Sequence, residues 1–584
     1  MTATAAAESE ASYRVEYERL PEPWWMPWLF WAWVAIAVPY VPWRIYATNW
    51  ANWSGPLLLA CELFAIMLAA LFLGTAQQIH MPIHRPTDLT RWVVDCLIPT
   101  HLEPADVIEC TVIAALKVHG IREVIVLANF ERPEVRAVCE RLRVRYLPRG
   151  SNEHAKAGNL NVGLAYSDAP FLLHLDADYI VRPEILQRVM GWFDDPTMAF
   201  VQGPQTYYNH DSFVFRTFRR IRAGWSEQTM FYQVIQPSKN RWNAACFVGS
   251  CAVMRRAALD SIGGFATGTV TEDIHTSLRI HAKGWSSVYT NEPVAYGMEA
   301  PSFKEFYTQR RRWAAGAATI GFRSPDSPLR IPGLTLMQRI NYFNSIITHA
   351  QGPLRAAFTF APMLCLLTFA VPIHINVVWF IVVSLGFAAY SAALGWIYSR
   401  GAMHFIHNEA YLYANHPGMS MGMAGLFKVR REFVSSRKTG KRTERTWVRW
   451  YLWLLATAML ATGGYGLTLI LAGNRSTAVL LATVFIVMNE FFLLWFLIPL
   501  IRYEHRGRHA PPPEYHTLTG EDRYRYVMRF YDGRYVMPSG IMVDRPVKTS
   551  RIRPGRRPGW VETRVFTYEP GKSGSLEPET ATAT

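Results

Sequence analysis

Six apolar blocks, each close to the length of a membrane helix, constrain this chain more than any other feature of its sequence. They are Trp24–Val41, Pro56–Gly74, Leu354–Val371, Val377–Tyr398, Trp450–Leu471 and Ala478–Ile501. A helix of about 20 apolar residues crosses the hydrocarbon core of a bilayer. Only Glu62, Arg355 and Glu490 are charged within the blocks. The sequence therefore predicts a polytopic membrane protein with six spans.

The distribution of basic residues predicts the orientation of these spans. The formal net charge is +15, whereas the short connections 45–55, 372–376 and 473–477 contain at most one arginine each. Basic residues concentrate beside the apolar blocks, at Arg400, Lys428–Arg449, Arg502, Arg506 and Arg508. Because cytoplasmic loops carry the excess of Lys and Arg, we expect both termini and residues 77–353 in the cytosol. This placement accounts for the charge without a nucleic-acid partner.

The apolar blocks also divide the chain into predicted domains. These are a cytosolic N-terminal tail (1–23), two transmembrane helices (24–76), a cytosolic domain (77–325), interfacial helices with four transmembrane helices (326–510) and a cytosolic C-terminal tail (511–584). The first residues lack a basic region followed by an early apolar core, so no cleavable signal peptide is expected. Seven cysteines without a CxxC pair favour reduced thiols over a disulfide framework or a zinc site.

Within residues 77–325, short apolar runs alternate with helical patterns. The predicted strands are Asp95–Pro99, Val124–Leu127, Arg145–Leu147 and Pro170–Leu175, and the predicted helices are Val107–His119, Pro133–Leu142 and Lys156–Ala165. This alternation is typical of an α/β domain with a doubly wound, mostly parallel sheet. No GxGxxG or Walker A sequence is present, so a dinucleotide or ATP site of those types is not expected.

Asp176 and Asp178, one residue apart, directly follow the last of these strands. A parallel strand delivers such residues to the carboxyl edge of the sheet, where open α/β folds bind ligands. Oxygen ligands in that position suit Mg²⁺ or Mn²⁺ bound to a diphosphate. A simple turn is the alternative interpretation, because aspartate is common in turns.

Two further motifs follow the aspartate pair. Thr271-Glu272-Asp273 precedes a predicted helix, Ile274–Lys283, where the threonine suits an N-cap and the acids suit the first turn. One of these carboxylates is also suited to act as a general base. The next motif is Gln309-Arg310-Arg311-Arg312-Trp313. Its arginines suit a diphosphate or a membrane surface, and its tryptophan offers a flat face to a sugar ring.

Taken in order, DAD, TED and QRRRW between membrane helices resemble the processive family-2 glycosyltransferases, which include the cellulose, curdlan, hyaluronan and chitin synthases. Supporting matches are HAKAGNLN at His154–Asn161, VQGPQ at Val201–Gln205 and FVGS at Phe247–Ser250. The resemblance covers Trp92–Trp313 in sequence and the membrane helices in topology only. It implies a GT-A type α/β domain inserted in a polytopic α-helical membrane bundle.

The resemblance also implies a role for each matching position. Asp273, with Glu272 beside it, would be the catalytic base. Asp176 and Asp178 would bind the donor diphosphate through Mg²⁺ or Mn²⁺. The full donor set would be Thr100, Glu103, Asn129, Lys156, Asp176, Asp178 and Arg312, and the acceptor set Gln309, Trp313, Gly249 and Ser250. The cytosolic loop at about 428–446 resembles a gating loop, with Phe433, Ser436 and Lys438 at the motif positions.

One departure from the family concerns the nucleotide base. Asn129 stands where the family carries an aspartate that contacts the base, and the loop Pro99–Pro104 differs from the family's PTYNEP-like run. An amide donates as well as accepts hydrogen bonds, whereas a carboxylate only accepts them. Selectivity for uridine is therefore open.

The resemblance thus implies an inverting, processive hexosyltransferase that polymerises a β-glucan from UDP-glucose. It would work at the cytosolic face of the plasma (inner) membrane and pass the polymer through its own helices. Three alternatives stay open, namely a non-processive enzyme that adds one sugar to a lipid, a polymerase for another nucleotide sugar such as UDP-GlcNAc, and a transporter or scaffold with a degenerate transferase domain. The expected partners are the nucleotide sugar, the growing polysaccharide and membrane lipid. Accessory subunits or a homo-oligomer are compatible with this prediction.

Overall fold

The structure, a computed structural model, describes residues 15–20, 22–217, 225–427, 446–509, 514–532, 535–536 and 542–543. Strands β1 to β14 within these ranges are Tyr17–Arg19, His80–Pro82, Val94–Thr100, Ile121–Ala128, Arg145–Pro148, Phe171–His174, Ile180–Val181, Met198–Gln202, Thr206–Tyr207, Ala252–Arg255, Ser286–Tyr289, Ala295–Gly297, Tyr535–Val536 and Met542–Val543.

The α-helices fall into two groups, those of the α/β domain and those of the membrane bundle. In chain order they are Met26–Ala47, Ser54–Ala76, Ala105–Leu116, Pro133–Leu142, Ala155–Tyr166, Ile185–Val189, Phe213–Arg216, Gln236–Lys239, Arg256–Asp260, Glu272–Ala282, Phe303–Ala318, Leu336–Ile347, Gln351–Thr368, Val377–Tyr398, Phe405–Ala424, Trp447–Leu471, Thr477–His509, Glu514–Thr517 and Gly520–Asp532. We call Glu272–Ala282 the TED helix and Phe303–Ala318 the QRRRW helix.

A seven-stranded sheet in the order β11-β8-β10-β6-β3-β4-β5 forms the centre of the α/β domain. Strands β3, β4, β5 and β6 pair in parallel, as do β8 and β11, whereas β10 runs antiparallel between β6 and β8. The strand order reverses between β3 and β6, and ligands bind at such a switch point in open α/β sheets. The predicted α/β fold with a mostly parallel sheet is confirmed.

The central strands form where the sequence is mostly apolar. All seven residues of β3 are buried, as expected for a parallel strand covered by helices on both faces. The four predicted strands correspond to β3, β4, β5 and β6, and the predicted helix Pro133–Leu142 has these bounds in the structure. The antiparallel β10 and the small sheet β7-β12-β9 were not predicted.

Helices occupy all six apolar blocks of the sequence. Among the residues that the structure describes, four of these helices are long and apolar enough to cross a membrane. They are Ser54–Ala76, Val377–Tyr398, Trp447–Leu471 and the segment Thr477–His505. The other two, Met26–Ala47 and Gln351–Thr368, are outside that group, and each carries an arginine and an internal proline. That these two also span the bilayer stays a prediction.

Glycines allow close contact between the α/β domain and the membrane bundle. The QRRRW helix packs along Phe405–Ala424, where a Cβ added to Gly422 would lie 2.5 Å from Ala314 Cβ and one added to Gly418 would lie 3.0 Å from the Tyr307 ring. Such short distances leave room for glycine only. The QRRRW motif is therefore fixed directly on a helix of the bundle.

The start of the predicted C-terminal tail packs onto the α/β domain. Arg523 Nη2 donates to Asp106 Oδ2 at 2.9 Å, and Lys117 Nζ lies 3.3 Å from Glu521 Oε1. Tyr515 is buried in the same hydrophobic cluster as the sheet. The helix Gly520–Asp532 is thus an added layer on the helix Ala105–Leu116.

Candidate active site

The aspartate pair lies at the carboxyl edge of β6, beside the end of β3. Asp178 is buried, and Asp176 keeps about a third of its side chain exposed. Two hydroxyls hold the backbone of this turn. The Asp176 N–H donates to Ser250 Oγ at 2.9 Å, and Thr111 Oγ1 donates to the Ala177 carbonyl at 2.8 Å. The predicted position of the pair at the sheet edge is therefore correct.

Lys156 connects the aspartate pair with the TED motif. Its Nζ lies 2.5 Å from Asp176 Oδ1, 2.5 Å from the Gly249 carbonyl oxygen and 3.9 Å from Glu272 Oε1. Burial acts to lower the pKa of Lys156, but the surrounding carboxylates outweigh it and raise this pKa. The ammonium group is therefore a fixed positive charge between the two acidic motifs.

Asp273 has the most perturbed carboxyl of the site. Burial, and then the charge of Glu272, raise the pKa of Asp273 to about 7, against the opposing effects of the Ile274 N–H, Lys156 and Arg312. A carboxyl with such a pKa can accept a proton near neutral pH, which is what a general base needs. The role of Asp273 as the base stays a prediction, and its raised pKa is compatible with that role.

The surroundings of Asp273 require glycine at two positions. Gly249 has φ +90°, and a Cβ added there would lie 3.0 Å from Asp273 Oδ2. A Cβ added to Gly316 of the QRRRW helix would lie 2.2 Å from Thr271 Oγ1. Thr271 is at the N-cap position, but its side chain makes no capping hydrogen bond. The predicted N-cap position is therefore confirmed, but the hydroxyl does not cap the helix, because the QRRRW helix packs against it.

The QRRRW helix contributes three predicted residues to the same space. Its own N-cap is Ser302, whose Oγ accepts the Glu305 N–H at 3.3 Å. Gln309 is buried and its Oε1 has no hydrogen-bond partner among the described residues. Arg312 and Trp313 are partly exposed in the cavity wall. All three side chains line the cavity.

A single cavity of about 1360 Å³ joins these groups with the membrane bundle. Its catalytic-domain wall includes Thr100, Glu103, Asn129, Lys156, Asp176, Asp178, Gly249, Glu272, Asp273, Gln309, Arg312 and Trp313. Its membrane-bundle wall includes Tyr40, Glu62, Arg355, Ser384, Ser391, Glu409 and Asn489. The structure therefore brings together the predicted donor, base and acceptor residues, with the exception of Ser250.

The side chains of Ser250 and Asn129 are both engaged in hydrogen bonds within the protein. Ser250 is fully buried and supports the Asp176 turn. Asn129 is 3% exposed, and its Nδ2 donates to Asn152 Oδ1 and, at 3.3 Å, to His101 Nδ1. Its Oδ1 accepts from Asn159. The amide of Asn129 is thus used within the protein, in a network of side chains that we did not predict.

Thr100 and Glu103 shape the loop after β3. Thr100 Oγ1 donates to the Leu127 carbonyl at 3.2 Å, and Glu103 Oε2 accepts the His101 N–H at 2.7 Å. Both residues line the cavity. The gating-loop residues Phe433, Ser436 and Lys438 lie outside the described residues.

Sequence reasoning missed charged pairs in the cavity wall, among them Glu227 with Arg310. Glu227 forms an ion pair with Arg310, and both side chains are largely buried. Arg310 lies within the QRRRW motif, but the partner is 83 residues away in the chain. The helical spacing of Phe306, Arg310 and Trp313 is the sequence signal that could have identified Arg310, since residues three and four apart share a helix face.

Comparison with known proteins gives one family match and several relatives. Residues 171–392 match the family described as Glycosyl transferase family group 2. The chain is 36% identical over 346 residues to cellulose synthase 1 of Komagataeibacter xylinus, covering 56% of this chain and 22% of that protein. It is 32% identical over 468 residues to the UDP-forming cellulose synthase catalytic subunit of Pseudomonas fluorescens (strain SBW25), covering 76% of this chain and 62% of that protein.

The extent of these matches differs from relative to relative. The chain spans 22% and 62% of the length of these two curated relatives. Among solved structures, a mannosyltransferase from Pyrobaculum calidifontis in complex with GDP-Man and Mn²⁺ aligns over 63% of this chain and 99% of its own, with 17% identity and a TM-score of 0.44. The family match extends over β6, the aspartate pair and the QRRRW helix. The chain is thus similar to family-2 glycosyltransferases of the cellulose synthase type.

Proposed function

We propose that the chain is a processive, inverting glycosyltransferase that polymerises a β-glucan from UDP-glucose. The sugar would be added at the cytosolic face of the plasma (inner) membrane, and the polymer would leave through the membrane bundle. The continuous cavity is the observation that carries this proposal. It extends from Asp176 and Asp178, past Asp273 and Trp313, to side chains of the membrane helices.

The size and shape of the cavity favour a polymer over a single acceptor sugar. Sites for small molecules usually enclose about 300–1,000 Å³, and this cavity is larger, at about 1360 Å³. In a processive enzyme, the growing polymer must move away from the reacting centre while it stays bound to the protein. The part of the cavity within the membrane bundle is lined by hydroxyl, amide and charged side chains, which could bind this polymer. They include Ser384, Asn489 and Arg355.

The donor end of the cavity fits a divalent cation held jointly by protein and ligand. No group of three or more His, Cys, Asp or Glu side chains suited to a metal occurs among the described residues. Two carboxylates, Asp176 and Asp178, are nevertheless enough when substrate phosphates complete the coordination, as is usual for Mg²⁺. When bound there, Mg²⁺ or Mn²⁺ would neutralise charge on the departing diphosphate.

The protein side chains supply the other parts of the reaction. Asp273 would take the proton of the acceptor hydroxyl, whose oxygen bonds to the anomeric carbon as the bond from that carbon to UDP breaks. Direct displacement inverts this carbon, so an α-linked donor gives a β-linked product. Lys156 and Arg312 would stabilise the negative charge of the departing UDP, because fixed cations act strongly in a site that excludes water.

One relative supports the choice of a UDP-sugar as the donor. The Pseudomonas fluorescens relative is described as UDP-forming. Since Asn129 replaces the aspartate of the family, the base contacts must differ in detail. The growing polysaccharide and membrane lipid would be the other partners, and accessory subunits or self-association would add to them.

A comparison of nucleotide sugars tests the donor. Purified protein in detergent would be supplied with Mg²⁺ or Mn²⁺ and UDP-glucose, UDP-GlcNAc or GDP-mannose, and nucleotide release would be measured. We expect the fastest release from UDP-glucose, loss of release in D178N, and unchanged release in D260N, because Asp260 is exposed on the surface. Faster release from UDP-GlcNAc would overturn the donor, and no release from any donor would overturn the enzymatic proposal.

A further inference from the structure

The buried guanidinium of Arg310, which has no role in the proposed reaction, stacks on the indole ring of Trp313. Arg310 Cζ lies 4.1 Å from the centroid of the Trp313 ring and 4.8 Å from the centroid of the Phe306 ring. The three residues follow one face of the QRRRW helix, since they are spaced by four and three positions. The guanidinium is therefore enclosed between two aromatic rings.

One carboxylate fixes the guanidinium in this position. Arg310 Nη2 donates to Glu227 Oε1, and the two side chains are 3% and 13% exposed. Arg310 Nη1 is buried without a hydrogen-bond partner among the described residues. The location of the guanidinium thus depends on a single ion pair and on ring stacking. Planar guanidinium groups stack on aromatic faces, which a lysine ammonium cannot do in the same way.

Further contacts attach Glu227 to the rest of the domain. Its neighbour Gln228 donates through Nε2 to Glu299 Oε2 at 2.9 Å. The Glu299 N–H in turn donates to Asn209 Oδ1 at 2.7 Å. Glu227 therefore sits on a segment that is fixed independently of the QRRRW helix. Because Glu227 and Arg310 belong to separate segments of the fold, their ion pair can define the position of the Trp313 ring that stacks on Arg310.

We propose that Glu227 and Arg310 are positioning residues that hold the indole of Trp313 flat, so that its other face is presented to the acceptor sugar. This inference rests on the proposed function, in which Trp313 binds the growing chain. Neither residue touches the reacting atoms. They act through Trp313, and their loss changes elongation more than donor cleavage.

Two substitutions test the pair. E227Q removes the charge that holds Arg310, and R310K keeps a cation but removes the flat stacking surface. For both we expect polymer elongation to fall roughly tenfold, as for loss of a desolvated cation–π contact, while UDP-glucose hydrolysis changes by less than about twofold. E504Q is the matched control, because the Arg449–Glu504 pair is also largely buried but lies between membrane helices, outside the cavity wall.

A double substitution separates positioning from general structural support. If Glu227 acts through Trp313, E227Q causes no further loss of elongation once W313A is present, because coupled residues are not additive. Additive losses, or equal elongation by E227Q, R310K and E504Q, would overturn the positioning role while leaving polymer synthesis by the wild type intact. A wild type that releases no UDP from UDP-glucose would instead refute the proposed function, and the positioning role with it.

Discussion

The substitution Asp273→Asn separates the effect of the Asp273 carboxylate on protein stability from its proposed role in catalysis. The pKa of Asp273 is raised from 3.8 to about 7, so the folded protein binds this proton more tightly than the unfolded chain does. The carboxylate therefore destabilises the fold. This destabilisation is absent below about pH 4, where the carboxyl is protonated in both states, and it grows as the pH rises to 7. At about 1.4 kcal/mol for each pKa unit, it amounts to at most about 4 kcal/mol at pH 8.

An asparagine remains neutral at every pH and avoids this cost. We therefore expect D273N to unfold at a higher temperature than the wild type at pH 8, with a difference that shrinks by more than half at pH 5. Polymer formation should be abolished. Stabilisation by added UDP should persist, since Asp176 and Asp178 are unchanged and a ligand stabilises the state that binds it.

The activity of the wild type should follow the ionisation of the same group. With a pKa of about 7, the rate should rise about tenfold from pH 6 to pH 8 as the base loses its proton. E272Q is the matched variant. Because the charge of Glu272 helps to raise the pKa of Asp273, its removal should shift the midpoint to lower pH. Near-normal turnover by D273N, or a stability difference that does not depend on pH, would refute the assignment.

Three further substitutions test the packing of the site. G316A should lower activity at least tenfold, because its Cβ would lie 2.2 Å from Thr271 Oγ1, whereas G386A, with nothing within 4 Å, should leave activity and melting temperature unchanged. S250A should weaken UDP binding roughly three- to tenfold in calorimetry, as expected for loss of one hydrogen bond to the Asp176 turn, and an unchanged affinity would contradict this. N129D should lower the melting temperature, because a carboxylate cannot donate to Asn152 and His101, and a stability equal to the wild type would show that the network adapts.

The parts of the fold that could be predicted from the sequence are those set by local patterns. The strands β3 and β4 contain the apolar runs 96–99 and 124–128, and each predicted strand lies within its observed bounds or within one residue of them. The apolar blocks of the membrane bundle were found for the same reason. Strand β10, with four residues, and the two- and three-residue strands of the small sheet exist through tertiary pairing, which leaves no signal in a short segment.

The candidate site divides in a similar way. Asp176, Asp178, Asp273 and Trp313 were predicted because each follows or occupies a motif, and they line one cavity. The functions of Asn129 and Ser250 could not be predicted, since they depend on partners far away in the chain. The Asn129 amide is engaged by Asn159, and Ser250 supports Asp176. The pairing of Glu227 with Arg310 also bridges distant segments.

The product formed from UDP-glucose tests the central proposal most directly. Purified protein with radiolabelled UDP-glucose and Mg²⁺ should yield a high-mass polymer that a β-glucanase degrades, and W313A should shorten that polymer more than it slows donor hydrolysis. Label recovered only as a lipid-soluble monoglycoside would contradict processive synthesis. Polymer that resists β-glucanase would contradict a β-glucan product.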